Sequence, residues 1–125
     1  MRYVRARDLE ERTKRMVDAL GLNHIDPERV ICIRSYGSRS KRTLARVHAP
    51  SKAVLAALNM KPVYVIEFIE EACRRLTDEQ LEDVILHELL HIPKSFSGGL
   101  RGHDARFSSE LESYRKFLSR ARRYR

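Results

Sequence analysis

The sequence predicts a small α+β domain in which a sheet of about three strands packs against helices. Helical periodicity near both ends, β-branched runs of strand length in the middle, and Gly- or Pro-containing turns between them carry this reading. The chain has 125 residues, 42% hydrophobic and 34% charged. That suits one modest core, hence a single domain over 1–125, and argues against wholesale disorder.

Ala6, Leu9, Thr13, Met16, Val17 and Leu20 recur at helical spacing, with Gly21 at the C-terminal cap, predicting a first helix from Val4 to Leu20. Arg29 to Arg34 reads as a buried strand, and Thr43 to His48 alternates like a second one. Turn residues from Gly37 to Ser40 suggest that the two pair as a long-looped hairpin. Pro50-Ser51 opens a short helical stretch with Val54, Leu55 and Leu58 facing inward. Pro62 precedes Val63 to Ile69, the strongest strand signal in the chain. Thr77 and Gln80 fit a capping box at the start of a helix from Asp78 to about His91, which Pro93 stops. A Gly/Ser-rich loop, Ser95 to Gly102, leads to a last helix from about His103 to Arg122, with Phe107, Leu111, Tyr114, Leu118 and Ala121 on one face.

No run approaches the 18 apolar residues of a membrane span. The first residues, Met1 to Arg5, lead into charge rather than into an apolar h-region, so no secretory signal is expected. Cys32 and Cys73 are too few for a disulfide framework or a CxxC zinc cluster, and read as reduced thiols of a cytoplasmic protein. The net charge of +8 favours acidic partners. Cations crowd into Arg34 to Arg46 and Arg115 to Arg125, whereas Glu67 to Asp83 is mainly acidic, which predicts a strongly dipolar molecule.

His87-Glu88-Leu89-Leu90-His91 is an HExxH motif. On a helix, histidines four apart share one face and can grip one metal ion, while the intervening carboxylate lies about 100° around, beside a metal-bound water. A zinc ion lowers the pKa of that water, and Glu88 can take its proton, which is hydrolytic chemistry. Burying two histidines and a glutamate among Val84, Ile85, Leu86, Leu89, Leu90 and Ile92 is costly unless something satisfies them. A histidine pair hydrogen-bonded to neighbours is the bland alternative.

A catalytic zinc needs a third protein ligand. His103, four residues before Phe107 on the inward face of the last helix, is the leading candidate, and the Gly98-Gly99 pair and Gly102 let the loop turn back. Asp104, Glu110 and Glu112 compete. Asp104 otherwise reads as a first-turn acid or as a partner of a ligand. His24 and His48 have no partner at metal spacing and read as surface or turn residues.

HELLHIP, the glycine-containing loop and Gly102-His103-Asp104 with Phe107 after it resemble a family of small phage and archaeal metallopeptidases. More distantly they are similar to the SprT-like (Spartan-type) zinc proteases, whose HExxH is followed by a GHG-type third-ligand motif. The resemblance implies a minimal zincin-like domain, zinc ligands at His87, His91 and His103, and Glu88 as general base. Asp104 departs from the SprT-like pattern, and no cysteine zinc ribbon follows. The metzincin spacing is excluded, because Ser97 stands where its third histidine would be.

A peptide or protein substrate follows from this reading, hydrolysed by a Glu88-activated, zinc-bound water. Zincins bind substrate backbone along a sheet edge, and Thr43 to His48 is the segment positioned for that role. Arg101, Tyr36, Tyr114 and His48 are candidates to stabilise the developing oxyanion. Tyr64 and Phe68 read as core aromatics. The loop Ser95 to Gly102 is either a lid or a simple connection. The basic end, 115–125, could neutralise phosphates, so non-specific nucleic acid is a second partner class. The competing function is a nucleic-acid-binding or adaptor module with a structural or inactive zinc site.

Overall fold

The computed structural model describes residues 1–40 and 42–123. Strand β1 (Arg2–Arg5) opens the chain, ahead of helix α1 (Arg7–Ala19). The helix expected from Val4 therefore starts later. Arg2–Arg5 pairs antiparallel with Ile33–Tyr36, and the Ala6 N–H donates to the Cys32 carbonyl at 2.9 Å before the helix begins. All four residues of β1 are exposed, so no apolar alternation marks this strand in the sequence.

A 3-10 turn, Pro27–Arg29, is capped by Asp26 and leads into β2 (Val30–Tyr36). Then follow β3 (Ala45–His48), α2 (Lys52–Ala57), β4 (Tyr64–Ile69), the single turn α3 (Glu70–Cys73), α4 (Asp78–Leu90) and α5 (Ala105–Arg123). The result is an α+β fold whose mixed sheet has the order β1-β2-β4-β3. It has four strands where about three were expected, β1 being the addition.

The expected hairpin between β2 and β3 does not form. Strand β4 lies between them, parallel to β2 from Val30 opposite Tyr64 to Ser35 opposite Ile69, and antiparallel to β3. Burial explains the order. Strand β4 is buried at every position but Val65, so it belongs at the centre, whereas β3 alternates between half-buried and exposed and takes the edge. The edge position expected for Thr43 to His48 is thus found, with a different neighbour.

One sheet face, carrying Val30, Cys32, Tyr64, Ile66 and Phe68, packs with Leu9, Met16 and Val17 of α1 and with α4. Tyr64 and Phe68 are core aromatics, as expected. Ile85, Leu86 and Leu89 of α4 have no exposed surface. Burying each is worth about 1.5–3 kcal/mol, which is what fixes this helix beneath the sheet. Of the three residues expected inward in α2, only Leu55 is buried, while Val54 and Leu58 are 48% and 61% exposed. With 6 residues, α2 is under two turns long and turns one side chain inward.

The charge segregation seen along the chain is partly undone in space. Arg46 approaches Glu67, Arg34 reaches Asp8 and Glu70, and Arg122 reaches Glu82, so basic segments pair with the acidic one. Tyr124 and Arg125 of the basic end lie outside the described residues. Cys32 and Cys73 are both free thiols, pushed up to about 11 by burial. No helix among the described residues is long and apolar enough to cross a membrane.

Candidate metal centre

Helix α4 delivers the first two histidines. The predicted capping box is present: the Gln80 N–H donates to Thr77 Oγ1 at 3.1 Å, and the Thr77 N–H donates to Gln80 Oε1 at 2.9 Å. At the other end the His91 N–H donates to the Glu88 carbonyl, a tightened last turn two residues before Pro93. His87 and His91 lie one turn apart, edge to face, with ring centroids 5.1 Å from each other.

The loop after α4 brings in the third. Its glycines bend it, Gly98 at φ 105°, and its path is held by Tyr64. The buried Tyr64 hydroxyl donates to the Gly99 carbonyl and accepts from the Gly98 N–H, both at 2.9 Å. Phe96 packs edge-on against the same ring at 4.9 Å. Of the two readings of this loop, connection or lid, the pinned geometry fits the connection.

His103 sits just before α5 and is exposed, not on the inward face of that helix as expected. The cause is Asp104, whose carboxylate accepts the Phe107 N–H at 2.8 Å and caps α5. Asp104 is thereby accounted for as a helix cap. Glu110 is also engaged, bonded to the Arg101 guanidinium at 2.7 Å. His103 Nε2 nevertheless lies 2.9 Å from His87 Nε2.

The three imidazoles therefore converge: one nitrogen of each of His87, His91 and His103 lies within 4.8 Å of the others. Nitrogens at zinc-binding distance in a tetrahedral site are about 3.3 Å apart, so this spacing suits a single ion. Phe107, 1% exposed, lies against all three rings, with centroids at 5.3, 4.7 and 4.9 Å. Burial and the mutual repulsion of the cluster, with Arg115 adding to it, hold the His87 imidazole down at about 4; burial likewise lowers His91. Neutral imidazole is the form that binds metal. The donor set fits a metal ion.

Glu88 is 7% exposed. Burial alone lifts its carboxyl to about 7. It lines, with His87, a cleft of about 470 Å³ between the segment 42–45 and helices α4 and α5. A carboxyl with a pKa near neutrality can both take and return a proton.

The residues expected to stabilise an oxyanion lie elsewhere. The Arg101 guanidinium is turned to Glu110, His48 lies 2.7 Å from Glu67, Tyr36 is covered by Arg2, and Tyr114 packs against the core. His48 is exposed, as expected, and is also engaged by a carboxylate. Sequence reading missed Arg42, Gln80, Asp83 and Arg115, which do line the cleft. No local pattern marks any of them as a cleft residue, Gln80 reading only as part of the capping box, because they meet only when α4, α5 and the approach to β3 are assembled.

Three converging imidazoles on a small α+β fold define a candidate metal-binding protein. The family model described as "Putative phage metallopeptidase" matches residues 1–124, and the chain belongs to that family. No curated protein and no solved structure matches it.

Proposed function

We propose that this protein is a zinc-dependent metallopeptidase in which His87, His91 and His103 hold the ion and Glu88 is the general base. The observation that carries this reading is the convergence of three imidazoles beside a buried carboxyl raised to about 7. When bound, the ion supplies Lewis acidity toward water and toward the substrate carbonyl. Glu88 removes a proton from the attacking water as its oxygen bonds to the peptide carbon. The same carboxyl then gives that proton to the amide nitrogen as the C–N bond breaks. A purely structural zinc site in a nucleic-acid-binding or adaptor module would have no use for Glu88.

The deciding experiment is elemental analysis of purified wild type and His87→Ala, paired with a peptide-hydrolysis assay. One zinc per chain, lost in the variant and accompanied by hydrolysis in the wild type, is the expected result. Absence of metal after reconstitution would overturn the reading.

A further inference from the structure

The cleft beside His87 and Glu88 carries charge that hydrolysis itself does not require. Leu44, Ala45, Leu76 and Val84 give it an apolar lining. Arg42 comes from the approach to β3 and Arg115 from α5, so the two guanidiniums reach the cleft from separate elements. Both residues are exposed, and neither forms an ion pair among the described residues. Arg46 and Arg122, close to them in sequence, are by contrast tied to Glu67 and Glu82. Asp83, half-buried on α4, is the carboxylate that shares the cleft with Glu88.

The two guanidiniums share the cleft with Asp83 and Glu88 and form an ion pair with neither, which leaves the cleft with spare N–H donors. A guanidinium offers paired N–H groups matched to a carboxylate's two oxygens. An apolar lining with cationic side chains suits a side chain that is aliphatic along its stem and anionic at its tip.

We propose that this cleft selects peptides bearing an Asp or Glu side chain beside the scissile bond, received by Arg42 and Arg115. The proposal rests on the peptidase reading and deepens it by naming a substrate class.

The test maps cleavage sites by mass spectrometry after zinc-loaded protein digests a peptide library of mixed sequence. Wild type is compared with Arg115→Glu and with the double variant Arg42→Gln/Arg115→Gln, each first checked for retained zinc and helical circular dichroism. Acidic residues should be enriched about two- to fivefold at one position next to the cleaved bond, as expected for a solvent-facing ion pair. The enrichment should vanish in the double variant and turn toward Lys and Arg in Arg115→Glu. Cleavage with no acidic preference, or a preference that persists in the double variant, would overturn the proposal. So would an oligonucleotide that binds through these arginines while cleavage shows no acidic bias. Failure of the zinc-loaded wild type to cleave any peptide is a different outcome, and it would remove the peptidase reading together with this one.

Discussion

His91 and Arg101 hold each other twice. The imidazole Nδ1 lies 2.7 Å from the Arg101 carbonyl, and the Arg101 N–H donates to the His91 carbonyl at 2.7 Å. A carbonyl can only accept, so Nδ1 carries the proton and Nε2 is left with its lone pair free. The tautomer that a metal requires is thus set by the backbone two residues before His103.

Replacement of Glu88 by Gln keeps the shape of the cleft and removes the proton acceptor. Hydrolysis should fall about 100- to 10,000-fold while zinc content stays at the wild-type level. Parallel activity assays and elemental analysis check this; activity retained in Glu88→Gln would refute the mechanism.

His103 differs from the other two histidines in being exposed and outside any helix. His103→Ala should therefore leave the melting temperature of the apoprotein almost unchanged and sharply weaken zinc binding in a chelator competition. Unchanged affinity would assign the third ligand elsewhere.

Tyr64 acts on the same site from the sheet. Tyr64→Phe leaves the Gly98 N–H and the Gly99 carbonyl without the hydroxyl that bridges them. The expected loss is about 1–3 kcal/mol of stability. Zinc affinity should also fall about tenfold, because the loop that orients His91 is no longer anchored. Chemical denaturation of the apoprotein and zinc competition measure the two effects separately.

Phe107 lies against the three imidazoles and within the core. Phe107→Ala should destabilise the protein by about 3–5 kcal/mol. Phe107→Leu, which keeps most of the volume, should be much milder in a denaturant titration.

Glu10 gives a pH dependence. The Arg5 guanidinium bonds to its carboxylate, and the Cys32 N–H donates to it at 3.1 Å, so its pKa is held below the ordinary carboxylate value despite burial. A lowered folded pKa means that the stabilisation is complete above the unfolded value of about 4.3 and disappears as pH falls through the folded one. Glu10→Gln should cost about 1–2 kcal/mol at neutral pH. The gap between variant and wild type should close on acidification, as followed by denaturation midpoints from pH 7 down to pH 3.

The parts of this protein that were legible in the sequence are those fixed by short-range periodicity. His87, Glu88 and His91 could be placed on one helix because a single repeat sets their directions, and Thr77 and Gln80 marked where that helix starts. The order of strands was not legible, since the pairing of Val30 with Tyr64 joins segments whose local patterns say nothing of each other. Asp104 reads as a competing ligand, a first-turn acid or a ligand's partner because the helix is expected from about His103, whereas it starts at Ala105 and leaves Asp104 to cap it. Arg115 reads only as the first cation of the basic end 115–125, and only the docking of α5 against α4 brings it to the cleft.

His87 and His103 are 16 positions apart in the chain. The loop that closes the histidine cluster is therefore short, whereas the opposite wall of the cleft comes from residues 42–45, on the far side of β4 in the chain. The three histidines are in effect a cassette carried by one stretch of sequence, and the facing wall of the cleft is supplied from another. Substitutions at Arg42 or Arg115 would therefore change what the cleft accepts while leaving the stretch from His87 to Phe107 untouched.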